Sequence, residues 1–94
     1  MKIRIDKRGL IRFAQKLIQI SSPSGQEREI AQVVGKEMKR VRFDRVKVDP
    51  LANVLGVLKG KSSHFRLMLN GHIDHAEAGS MKSAHSGKII LRDG

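Results

Sequence analysis

Cysteine, tryptophan and tyrosine are absent from this 94-residue chain, proline occurs twice, and the aromatic share of 3% is carried by three phenylalanines. Without cysteine there is neither a disulfide nor a thiolate metal site, so any metal has to be held by histidine and carboxylate groups. A core must come from aliphatic side chains, and the aromatic platforms on which nucleic-acid bases stack are missing. No apolar run approaches the roughly 20 residues of a membrane span, and the opening Met1-Lys2-Ile3-Arg4-Ile5-Asp6 lacks the apolar stretch of a secretory signal. A soluble, cytoplasmic chain is the expectation. No repeat, heptad or low-complexity stretch is present, and the length allows one small domain at most.

Acidic side chains are also scarce: 9 Asp and Glu stand against 19 Lys and Arg, a formal charge of +10. The excess is spread along the chain rather than gathered in a tail, and no nucleic-acid motif accompanies it. Salt-sensitive adhesion to polyanions is expected, but no specific nucleic-acid function. The glycines in Asn70-Gly71 and Lys59-Gly60-Lys61 fit turns and lack the spacing of a phosphate-cradling loop.

Leu10, Phe13, Ala14, Leu17 and Ile18 recur at helical spacing and predict a first helix with one buried face. Ser21-Ser22-Pro23 stops it, because proline disfavours the helical region for the residue before it. Ser24 and Glu27 then have the spacing of a capping box, predicting the start of a second helix. Ile30, Val33, Val34, Met38 and Val41 form its apolar stripe, and Lys36, Lys39 and Arg40 lie near its C-terminal end, where the dipole favours cations. The period then shortens. Val46 and Val48 alternate with charged residues as in a half-buried strand, a Pro50-Leu51-Ala52 turn follows, and Asn53 to Leu58 reads as the returning strand. A third strand is expected at Phe65 to Leu69 and a fourth at Lys88 to Arg92. The class is α/β: two N-terminal helices packed on a small mixed β-sheet.

The third strand runs into Asn70-Gly71-His72-Ile73-Asp74. Two residues apart in extended chain, His72 and Asp74 point to the same side, beyond the carboxyl end of a strand, where α/β sheets place their ligands. An imidazole so placed can ligate zinc through one nitrogen while the carboxylate orients the ring through the other. A histidine and an aspartate at this spacing are a weak signal alone, the bland alternative being a polar strand end. Near them, His75 and Glu77 read as solvated loop residues, and His64 and His85 as surface residues.

Four pieces in order raise that signal. Leu17-Ile18-Gln19-Ile20-Ser21-Ser22-Pro23-Ser24-Gly25-Gln26-Glu27, Val48-Asp49-Pro50-Leu51-Ala52-Asn53-Val54, Asn70-Gly71-His72-Ile73-Asp74, and Ser86-Gly87-Lys88-Ile89-Ile90 with Asp93-Gly94 together resemble the N-terminal part of one family. It is the zinc-dependent aminoacylase, acetylornithine deacetylase, succinyl-diaminopimelate desuccinylase and carboxypeptidase G metallopeptidase family. The resemblance covers nearly the whole chain. It departs in Ala52, where the family's turn usually has glycine, in His75, where a small or β-branched residue is common, and in the absence of a tryptophan before Ser86.

The resemblance implies a three-layer α/β/α zinc-peptidase catalytic domain, of which residues 1–94 would be a single partial domain. It implies His72 as a zinc ligand, Asp74 as the catalytic carboxylate that orients it, two zinc ions, and hydrolysis of the amide bond of an N-acyl amino acid or small peptide. The family's bridging aspartate, general-base glutamate and remaining ligands lie past the matching segment. The expectation is therefore a truncated amidohydrolase, inactive alone and self-associating through uncovered apolar surface. A stand-alone basic interaction module, or one part of an enzyme completed by another chain, is the alternative.

Overall fold

The structure is a computed structural model that describes residues 2–92. Asp93-Gly94, the end of the fourth motif, and the outermost residues of the expected 1–94 domain lie outside the described residues. The chain divides into two compact units, Ser22–Ala76 and Met1–Ser21 with Glu77–Gly94.

The larger unit, Ser22–Ala76, holds one helix and one hairpin. Helix α2 (Arg28–Arg40) packs against strands β1 (Arg45–Val48) and β2 (Val54–Val57). The strands form a two-stranded antiparallel sheet, pairing Val46 with Gly56 and Val48 with Val54. Those four positions share the face turned to α2, and two glycines let the layers approach. A Cβ on Gly35 of α2 would lie 3.2 Å from Val48 Cγ2, and one on Gly56 would lie 2.6 Å from Met38 Sδ and 2.7 Å from the Phe43 ring. The apolar core is small, with Ile30 and Ala31 as the buried hydrophobic residues among those described.

Both ends of α2 depart from the simplest reading of the sequence. The capping box does not form: the helix starts at Arg28 behind Glu27, whose side chain makes no cap bond but accepts from the Gly25 amide at 2.6 Å. The Ser24 hydroxyl is taken by a distant carboxylate, described below. At the C-terminus the Phe43 amide reaches the Met38 carbonyl and the Arg42 amide the Lys39 carbonyl, both at 3.0 Å. This is a Schellman closure, with Arg42 at φ 69 where glycine is usual; Phe43 and Met38 both border the space above Gly56.

The β1–β2 connection is organised by Asp49. Its carboxylate accepts from the Leu51 amide at 2.9 Å, the Asn53 amide at 2.8 Å and Asn53 Nδ2 at 2.9 Å, and the Asn53 bonds hold its pKa below the ordinary carboxylate value. Ala52 sits in this loop at φ 66, a left-handed conformation disfavoured by about 1 kcal/mol for a residue with a Cβ. Ala52→Gly is expected to stabilise this unit by about 0.5 kcal/mol, the relief of strain outweighing glycine's added chain entropy, as measured by its urea midpoint.

The smaller unit contains α1 (Lys7–Ile18), capped by Asp6, whose carboxylate accepts from the Gly9 amide at 3.0 Å. The helix forms as its spacing predicts, but none of its residues is buried. The segment that meets it, in residues 77–92, carries no helix or strand and is joined by polar bonds. Gln15 Nε2 donates to the Gly87 carbonyl at 2.9 Å, Gln19 Nε2 to the Ser86 carbonyl at 3.2 Å, and the His85 ring lies 2.8 Å from the Ile18 carbonyl. His85 is thus half-buried and tied down rather than a plain surface residue.

The α/β class holds. Among the described residues the sheet is antiparallel rather than mixed, since neither Phe65 to Leu69 nor Lys88 to Arg92 forms a strand. A strand exists only against a neighbour, and nothing pairs with these segments; Phe65, Leu67 and Leu69 stand 89%, 88% and 87% exposed. No helix among the described residues is long and apolar enough to cross a membrane.

Candidate functional site

Two short segments of the larger unit, residues 22–25 and 72–76, are stitched together by bonds between residues 50 to 53 positions apart. Ser22 is the anchor and is 1% exposed. Its amide donates to His75 Nε2 at 2.8 Å, its carbonyl accepts from the His75 amide at 3.0 Å, and its hydroxyl donates to the Ile73 carbonyl at 2.9 Å. Pro23 and His75 form an isolated parallel bridge at the same place. A burial this complete is affordable for a serine because every polar group has a partner.

A turn then aims the next hydroxyl. The Gln26 amide closes onto the Pro23 carbonyl at 2.9 Å, with Gly25 at φ 88 supplying the left-handed step. This presents Ser24 Oγ to Asp74 Oδ2 at 2.5 Å. The other carboxylate oxygen, Oδ1, lies 2.8 Å from His72 Nδ1, and the Asp74 carbonyl oxygen lies 2.9 Å from the same nitrogen. Both partners of Nδ1 are acceptors, so Nδ1 carries the proton, and in the neutral ring Nε2 is left with its lone pair. The His72 side chain is 83% exposed, and Nε2 has no partner among the described residues.

The electrostatics follow from these bonds. The hydrogen bond to Asp74 raises the His72 pKa above its ordinary 6.5, and the bonds from Ser24 first and His72 second lower that of Asp74 below 3.8. What the pair adds through His72 is complete below pH 6.5 and is lost as pH climbs past the raised value. What it adds through Asp74 is complete above pH 3.8 and is lost as pH falls past the lowered one. A proton NMR titration of the His72 ring should therefore give a midpoint above 6.5, and Asp74→Asn should return it toward 6.5. An unchanged midpoint would mean that the contact does not persist in solution.

The structure thus brings His72 and Asp74 together as their spacing implies. It does not make His75 a solvated loop residue: this ring is half-buried, accepting from Ser22 through Nε2 and facing the Ala76 carbonyl at 2.6 Å through Nδ1. His64 and Glu77 are exposed. Among the described residues no group of three or more metal-ligating side chains gathers. Ser22 and Ser24 are site residues that the sequence did not single out; the Ser-Ser-Pro-Ser-Gly run that holds them stood there as a helix stop, a cap and part of the family-like motif, without a role for either hydroxyl at the His72 site.

Comparison with known proteins gives distant relatives. The chain is 32% identical over 74 residues to the uncharacterized protein YgeY of Escherichia coli (strain K12), which covers 79% of this chain and 18% of that protein. It is 31% identical over 72 residues to a protein of Pyrococcus abyssi named as a LysW-lysine/LysW-ornithine hydrolase, covering 77% and 20%. It is 32% identical over 88 residues to a protein of Acetivibrio thermocellus named as an aminopeptidase, covering 94% and 25%. No family model and no solved structure matches. This chain therefore spans a quarter or less of the relatives it matches, and two of their names support a hydrolase or peptidase ancestry.

Proposed function

We propose that this chain is the N-terminal portion of the catalytic domain of a cytoplasmic zinc-dependent amidohydrolase or exopeptidase, one partial domain of a three-layer α/β/α fold. The whole enzyme would hydrolyse the amide bond of an N-acyl amino acid or small peptide with two zinc ions. Among the described residues His72 is the one metal ligand, and Asp74 is the carboxylate that orients it. The observation that carries this reading is the Nδ1-bound, Nε2-open state of His72, which is the arrangement a zinc-ligating imidazole needs.

The residues present fit one ligand position of such a site and no more. When bound, zinc supplies Lewis acidity to the scissile carbonyl and acidifies water. What the chain itself contributes is orientation: Asp74 keeps the His72 ring from rotating, holds its proton on Nδ1 and makes Nε2 more basic. The cost is competition, because the same carboxylate favours the protonated ring, so metal capture at His72 strengthens as pH rises through the raised pKa. With no group of metal-ligating side chains gathered around His72 among the described residues, the chain alone is expected to be inactive.

The exposed Phe65, Leu67 and Leu69 favour a chain completed by further polypeptide over a stand-alone basic module, because a free-standing domain does not leave an apolar run in water. A second copy of the chain is one such cover. The test is a chimera in which this chain replaces the matched segment of the Acetivibrio thermocellus relative. Zinc-dependent hydrolysis of dipeptides or N-acetyl amino acids, lost in His72→Ala and reduced about 10- to 100-fold in Asp74→Asn, is expected. A folded, active chimera indifferent to His72→Ala would overturn the assignment.

A further inference from the structure

We propose that Ser24 is a positioning residue for the His72 site: by donating its hydroxyl to Asp74 Oδ2 it fixes the carboxylate that in turn fixes the imidazole. The inference deepens the ligand role given to His72 and rests on it.

The geometry assigns one donor to each carboxylate oxygen, His72 to Oδ1 and Ser24 to Oδ2. One donor is two residues from Asp74 and the other 50, so the carboxylate plane is defined from both sides rather than by its own loop. The only other task the sequence offers Ser24, capping α2, is not performed, since that helix begins behind Glu27 without a side-chain cap. Ser24 in turn is held by groups that do not move easily. Buried Pro23 is bridged to His75, buried Ser22 is bonded on three sides, and Gly25 at φ 88 closes the turn.

Removing the hydroxyl frees Oδ2 to seek water. The Asp74 side chain then turns about its χ angles, the His72 Nδ1 bond weakens, and the ring samples both tautomers. Nothing else in the unit depends on this hydroxyl, since the stitch to residues 72–76 is made by Ser22. The effect should therefore be confined to the imidazole.

The experiment is nitrogen-15 NMR of the His72 ring in the metal-free chain, above its titration midpoint, followed by zinc addition. The wild type is expected to show one Nδ1–H tautomer. Ser24→Ala should show a mixture and about 3- to 10-fold weaker zinc binding at His72, below the loss from removing Asp74 itself, while Ser24→Thr keeps the single tautomer. An unchanged His75 amide resonance reports an intact stitch in each variant. A single Nδ1–H tautomer in Ser24→Ala, or a mixture in a folded Ser24→Thr, overturns the role of Ser24 and leaves that of His72 standing. A mixture already in the wild type overturns both, because Asp74 then does not hold the ring.

Discussion

Gly56→Val is expected to destabilise the helix–hairpin unit by about 1–3 kcal/mol, enough to lower its urea midpoint by roughly 1 M. Two effects favour the substitution: valine suits a strand, and removing a glycine lowers the entropy of the unfolded chain, each by up to about 1 kcal/mol. Both are outweighed by space. A Cβ at this position already meets Met38 Sδ at 2.6 Å and two atoms of the Phe43 ring at 2.7 and 2.9 Å, before the two γ-methyls are added. Met38 can move aside. Phe43 cannot do so cheaply, because its amide completes the closure of α2 and ties its backbone to the helix end. Leu55→Ala, on the opposite face and 56% exposed, should shift the midpoint far less. Equal midpoints for the two variants would mean that α2 does not approach the sheet as closely as described.

Ser22→Val is expected to cost about 2–4 kcal/mol and to release residues 72–76. The lost hydroxyl leaves the Ile73 carbonyl without its donor, about 1–3 kcal/mol, and the added methyls enter a site where the serine is 1% exposed. Hydrogen exchange separates this local release from global unfolding. The His75 amide, bonded to the Ser22 carbonyl, should lose protection in the variant while amides of α2 keep theirs. Retained protection at His75 would contradict the stitch.

How much of this was legible in the sequence depended on where each residue's partner lies. The stripes of α1 and α2 and the alternation of Val46 and Val48 are local patterns, and the elements they imply are present. The helix closure at Arg42 gave no signal, because a left-handed arginine looks like any other basic residue beside a run of cations. Leu67-Met68-Leu69 was read as a covered strand from its composition alone; composition states what a segment would bury, not whether a neighbour is there to bury it. The site divided in the same way. His72 and Asp74 are two residues apart and their contact was readable, whereas Ser24 satisfied a local capping pattern that a carboxylate 50 residues away displaces.

Zinc titration of the metal-free chain, followed at the ring nitrogens of its histidines, decides whether His72 is the metal-binding imidazole. Weak binding is expected, in which the His72 Nε2 resonance moves while Nδ1 keeps its proton, with His75 unaffected because its Nε2 remains bonded to Ser22. Binding through His75, loss of the His72 Nδ1 proton, or a His72 ring untouched at saturating zinc would contradict it.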